Sequence, residues 1–180
     1  MQKKWIALSQ KLLKTGKYHE ARLTPRRLSG RYYAGRAVIR ETGEETGNRT
    51  VLAYAALWRT YRKDWYELGT VWVDEALRGN GLREKLMTEV IELAPDGANI
   101  FLITNVESIM RSAEGLGFVV ATTGTRPGIS RWASDVGIVC RLPKTIYPIR
   151  PMVGDAPPAW GMPASGQRWM FVRPAKAHAE

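Results

Sequence analysis

Between Trp65 and Leu93 the hydrophobic pattern changes period, and the change is confined to one glycine-bearing turn. "WYELGTVWV" is rich in β-branched and aromatic residues and reads as a strand. Beyond "LRGNGL", residues Leu82, Leu86, Met87, Val90, Ile91 and Leu93 recur on one helical face, ended by Pro95 and Gly97. "NIFLIT" is then a short buried strand, "VESIMRSAEGLG" a helix with a glycine stop, and "FVVATT" and "VGIVCRL" two further strands. Strand, helix, strand, helix and strand in succession predict an α/β fold: a mixed central sheet with flanking helices and a parallel pair in its middle.

The remaining segments fit around that unit. Trp5, Ile6, Leu8, Leu12 and Leu13 predict an amphipathic helix over 2–14, closed by Gly16. In "LTPRRLSG", Thr24 is the expected N-cap and Pro25 the first helical residue, with a stop at Gly30. "YYAGRAVIRE" reads as a strand and "ETGEETGNR" as a charged loop. "TVLAYAALWRTY" is a strand adjacent to "WYELGTVWV", joined to it through the "RKD" turn. Seven of the ten prolines lie at 143 or later, interspersed with Trp160, Trp169, Met170 and Phe171. That texture divides the chain into a domain over 1–147 and a Pro/Trp-rich C-terminal extension over 148–180. The extension is expected to dock on the core, with "RWMFV" as a short strand and a free end.

A chain of 180 residues buries about 70% of its unfolded surface and does not require disulfides or metal staples. The single cysteine, Cys140, suits a reducing compartment. No apolar run reaches membrane-spanning length. The expectation is a cytoplasmic, soluble protein with no membrane partner. Residues 1–40 hold eleven Lys or Arg against one acid, Glu20, so this segment alone carries the whole formal charge of +10. The segment is either a site for an acidic partner or a solvated basic face.

The turn itself has the composition of an anion cradle. Backbone amides approach a pyrophosphate closely where glycine removes the side chain, and a helix start directs N–H groups and a positive dipole end at the anion. Arg78, Gly79, Asn80, Gly81, Leu82 and Arg83 lie between a strand and an amphipathic helix and meet both needs. The spacing is neither that of a P-loop nor that of the G-x-G-x-x-G dinucleotide motif.

The stretch "YELGTVWVDEALRGNGLREKLMTEVIELA" resembles the acetyl-CoA-binding motif of the GCN5-related N-acetyltransferase (GNAT) family. In that motif [QR]-x-x-G-x-[GA] begins five residues after the strand's last valine, the interval from Val73 to Arg78. "ITNVESIMRSAEGLGFVV" is similar to the family's second motif, with Asn105, Leu116, Gly117 and Phe118 matching, and "DVGIVCRL" falls where the last core strand is expected. Two positions depart from the pattern. Arg83 replaces Gly or Ala, and Ala113 stands where members often place a tyrosine general acid.

The resemblance implies transfer of an acetyl group from acetyl-CoA to an amine. It implies that a bulged strand offers the backbone of Val71, Trp72 and Val73 to the pantetheine arm, and that Arg78–Arg83 and Asn105 contact the cofactor. Glu67 lies six residues before Val73, where some members carry a glutamate base. Ser108, Ser112 or a tyrosine elsewhere could replace the missing acid. The acceptor is left open: a primary amine of unassigned class, a polyanion or an aminoacyl-tRNA as in toxin-type acetyltransferases. A silent GNAT-fold binding module and a homodimer are also compatible with the sequence. Cys140 reads as a strand core residue, His19 and His178 are too scattered for a metal site, and Trp72 and Trp132 are candidate lining for an acceptor pocket.

Overall fold

The computed structural model describes residues 2–16, 18, 22–42, 49–60, 64–104, 106–125 and 167–175. The first helix, α1, spans Lys3–Lys14. It buries Trp5, Leu8 and Leu12, whose spacing of three and four residues sets them on one face. Its chain leaves through Gly16 at φ 61°. Helix α2, Pro25–Tyr33, has Pro25 in its first turn after Thr24, whose side chain makes no capping hydrogen bond.

The stop expected at Gly30 is corrected: α2 runs through it and ends at Gly35. There the Gly35 N–H donates to Tyr32 O and the Arg36 N–H to Arg31 O. This is the paired closure of a Schellman motif, with Gly35 left-handed at φ 63°. A helix interior tolerates a glycine, whereas the left-handed residue turns the chain out of the helix. Tyr32 and Tyr33 are therefore helical, and strand β1 covers only Ala37–Glu41.

Strand β2, Val51–Arg59, is buried along nearly its whole length. Strand β3 spans Trp65–Val73, a 3-10 turn follows at Glu75–Leu77, and helix α3 covers Leu82–Glu92. Then come β4 at Asn99–Thr104, α4 at Glu107–Gly115, β5 at Val119–Thr125 and β6 at Gln167–Arg173. The strands are ordered β1-β2-β3-β4-β6-β5. The expected parallel pair is β3 with β4, in register from Trp65 opposite Asn99 to Glu67 opposite Phe101.

Strand β6 runs antiparallel to β4 on one edge and to β5 on the other, with Phe171 opposite both Leu102 and Val120. The segment "QRWMFVR" thus supplies the strand between β4 and β5. Residues 136–142, "VGIVCRL", lie outside the described residues.

The chain divides into two compact units. The first includes α1, α2, β1, β2 through Leu57, β3 from Thr70 onward, and α3. Its core gathers Trp5 against the rings of Tyr32 and Tyr54, with centroids 5.5 and 6.5 Å away. The second unit holds the end of β2, β3 through Gly69, β4, α4, β5 and β6. Phe101, Phe118 and Phe171 are buried there, with Trp65 6.3 Å from the Phe101 ring.

Gly30 and Gly35 separate the two uses of glycine experimentally. A Cβ at either position meets no atom within 4 Å. Gly30→Ala should therefore stabilise the protein by about 0.5–1 kcal/mol through helix propensity. Gly35→Ala should destabilise it by about 1–2 kcal/mol through left-handed strain. Urea unfolding of the two variants checks the opposite signs.

Candidate cofactor site

Along β3 the side chains alternate: Tyr66, Leu68, Thr70 and Trp72 are buried, while Glu67, Gly69 and Val71 are half-exposed. The backbone departs from regular strand geometry at Thr70, whose φ is 57°. A β-branched residue in that region is an outlier, and the kink is of the kind a bulge produces. Thr70 Oγ1 is also buried with no hydrogen-bond partner among the described residues. The carbonyl of the next residue, Val71, accepts a 2.6 Å hydrogen bond from the Tyr18 hydroxyl. Burial pushes the Tyr18 phenol up to about 12, against the pull of the Arg78 and Arg83 charges.

Beyond the strand, Asp74 ties three elements of the first unit together. Its N–H donates to Leu52 O at 2.8 Å. Its carboxylate accepts from Lys11 Nζ of α1 at 2.8 Å and from the Ala76 N–H of the 3-10 turn. The Lys11 hydrogen bond is the largest cause holding the Asp74 carboxyl below its ordinary range, with burial opposing it. Lys11 Nζ also lies 5.6 Å from the centre of the Trp72 ring. The Trp72 side chain is buried.

Arg78 folds back over the strand end, its Nε donating to Val73 O at 3.4 Å and its Nη1 lying 3.2 Å from a Glu75 carboxylate oxygen. Gly79 and Gly81 then take φ 92° and 67°, and a Cβ on either would project into open space. Glycine is required here by backbone conformation rather than by crowding. Gly81 caps α3 without a side-chain hydrogen bond, and the helical ladder begins with the Lys85 N–H donating to Gly81 O.

An open concavity of about 350 Å³ results, lined by Val73, Leu77, Arg78, Gly79, Gly81, Leu82, Arg83 and Glu84. Two guanidinium groups, open space over two glycine α-carbons and a helix start with no capping side chain fit a pyrophosphate. Among the lining residues Glu84 alone opposes an anion.

The structure thus brings Val71, Trp72, Val73, Arg78, Gly79, Asn80, Gly81, Leu82 and Arg83 together in one unit. Glu67 belongs to the other, half-exposed at the last paired position between β3 and β4. Asn105, Cys140, His19, His178 and Trp132 lie outside the described residues. Ala113 is fully buried, and the Ser112 hydroxyl donates to Ser108 O within its own helix. Tyr18 and Thr70 carried no motif or periodic signal; the one is a lone loop tyrosine, the other an ordinary strand former by composition.

Four of the eleven N-terminal bases are paired or buried. Lys4 pairs with Glu41, Lys11 with Asp74 and Arg40 with Glu89, and Arg22 is buried.

A strand, an amide-lined glycine turn and a helix within this mixed sheet define an acyl-CoA-type acetyltransferase fold. Residues 7–118 match the model of the acetyltransferase (GNAT) family, and the chain belongs to that family. The Rv2747 protein of Mycobacterium tuberculosis, solved in complex with CoA, shares the fold at 16% identity and a TM-score of 0.59, over 97% of this chain and 95% of its own. A GNAT-family acetyltransferase of Staphylococcus aureus Mu50 shares it at 14% identity and a TM-score of 0.53, over 97% and 93%. No curated relative matches the chain.

The lowered carboxyls give a pH signature. Glu89 is lowered chiefly by its hydrogen bond from Arg40, as Asp74 is by Lys11. Both groups bind protons less readily folded than unfolded. Their stabilisation is present above about pH 4 and lost as the pH falls through the lowered folded values. Between about pH 5 and about pH 3 the melting temperature of Asp74→Asn should therefore fall less than that of the wild type.

Proposed function

We propose that the protein is an acetyl-CoA-dependent N-acetyltransferase whose acceptor is a primary amine. The concavity at the start of α3 carries this reading, because it combines left-handed glycines with two arginines beside a kinked strand end. Arg78 and Arg83 hold the pyrophosphate with the amides that open α3, and the backbone of Val71–Val73 receives the pantetheine arm. Asn105 is the further cofactor contact that the family motif implies.

When bound, acetyl-CoA supplies a thioester carbonyl. Glu67 accepts a proton from the acceptor ammonium, whose pKa is about 10, and frees the nitrogen lone pair. The nitrogen forms the new C–N bond and the carbonyl becomes an oxyanion. The C–S bond then breaks with its electron pair leaving on sulfur, and the second proton of the nitrogen passes to the departing thiolate or to solvent. A backbone N–H of the kinked strand stabilises the oxyanion in between. A thiol with a pKa of about 8.5 leaves without obligatory protonation, so a missing general acid slows the reaction by about 10²–10⁴ rather than abolishing it. The expected setting is the cytoplasm. The ion pairs of Lys4, Lys11 and Arg40 leave fewer bases for a polyanionic acceptor, which favours a small or peptidic amine over charged tRNA.

Acetyl-CoA at 100 times its dissociation constant should stabilise the fold by about 2.7 kcal/mol. No melting shift at saturating acetyl-CoA would sink the proposal. Glu67→Gln should slow acetylation at neutral pH by about 10²-fold or more, with recovery at high pH and unchanged acetyl-CoA affinity. Arg83→Gly should weaken acetyl-CoA binding by roughly 1–3 kcal/mol, the loss of one charged hydrogen bond. Tighter binding would mean that the arginine side chain blocks the concavity.

A further inference from the structure

The 2.6 Å bond from the Tyr18 hydroxyl to Val71 O joins residues 53 positions apart at the carbonyl of the residue that follows Thr70. Thr70 is the one described non-glycine residue with a positive φ. Such a conformation is strained for a β-branched residue and persists only where surrounding contacts hold it. Its own side chain offers no compensation, since Oγ1 is buried without a hydrogen-bond partner among the described residues. Among the described residues, the Tyr18 hydroxyl holds the carbonyl just beyond the kink.

We propose that Tyr18 is a positioning residue that clasps this kink and so keeps the backbone of Val71–Val73 in the form that receives the acyl-CoA arm. The proposal rests on the cofactor reading given above. Its physical content is a two-state strand. With the clasp closed, the Val71 carbonyl is satisfied by the phenol and Thr70 stays left-handed. With the clasp absent, Thr70 relaxes toward the extended geometry that its branched side chain prefers, and the peptides beyond it turn. Ligand affinity then falls in proportion to the fraction of molecules still competent. Two further features agree. The phenol lies within electrostatic reach of Arg78 and Arg83, so the clasp and the cradle are neighbours, and its raised pKa of about 12 keeps the donor proton in place across the physiological range.

The experiment is a cycle of Tyr18→Phe, Thr70→Gly and the double variant, titrated with acetyl-CoA alongside thermal unfolding without ligand. Tyr18→Phe should raise the dissociation constant about tenfold, or about 1.4 kcal/mol. Adding Thr70→Gly should bring it back toward the wild-type value, because glycine populates positive φ without strain. A hydroxyl that served only the general packing of the fold would show no such rescue. Thr70→Gly alone should melt above the wild type and bind at least as tightly, and this holds the test open if Tyr18→Phe does not fold. Unchanged affinity in Tyr18→Phe, additive losses in the double variant, or a lower melting temperature for Thr70→Gly each overturns the clasp. Failure of the wild type itself to bind acetyl-CoA removes the cofactor reading and the clasp together, whereas wild-type binding that Tyr18→Phe leaves unaltered removes the clasp alone.

Discussion

A left-handed threonine inside a strand is the constraint on which the candidate site depends. Thr70 interrupts β3 at the boundary where the strand passes from one compact unit to the next. A regular strand would spend each backbone group on its neighbours, alternating them by residue. At Thr70 the chain departs from that geometry a few residues before the glycine turn. The unpaired Thr70 hydroxyl and the strained φ are both unfavourable, and their coexistence at one residue marks the kind of local cost that sites retain and cores do not.

Much of this was legible from composition and period, and the failures are instructive. Leu86, Met87, Val90 and Ile91 lie on the buried face of α3 because a helical period leaves few alternatives for four apolar residues so spaced. Gly79 and Gly81 were readable because a tight turn between a strand and a helix needs positive φ, which glycine supplies. Gly30 misled because sequence cannot say which of two nearby glycines will take the left-handed position; the hydrogen bonds at Gly35 decide it. "QRWMFVR" has strand-like composition, but composition alone cannot say that it lies between β4 and β5; long-range pairing decides it. Tyr18 was invisible for a further reason. A single loop side chain carries no periodicity, and its role comes from a partner 53 residues away.

Charge behaved similarly. Eleven bases in the first forty residues suggested one surface, yet the fold distributes them into separate jobs. Lys11 bridges Asp74 and the Trp72 face, Lys4 sits over the rings of Trp5 and Tyr32 while paired with Glu41, and Arg40 reaches Glu89 of α3. These acids lie outside the basic segment in sequence, so a count taken along the chain overstates the net field at the surface. The short range of such pairs means that they fix helix placement more than they attract distant anions.

The place of β6 also sets an order of events during synthesis. Residues 167–173 fill the gap between β4 and β5, so those two strands cannot share a completed ladder until the chain has been translated through Arg173. Until then β4 presents an open edge, and edges of that kind invite pairing with other chains. Helices α1 to α3 and strands β1 to β3 emerge much earlier. A nascent chain stalled before "QRWMFVR" would therefore carry an unfinished sheet, and it is that open edge that a chaperone would have to shield.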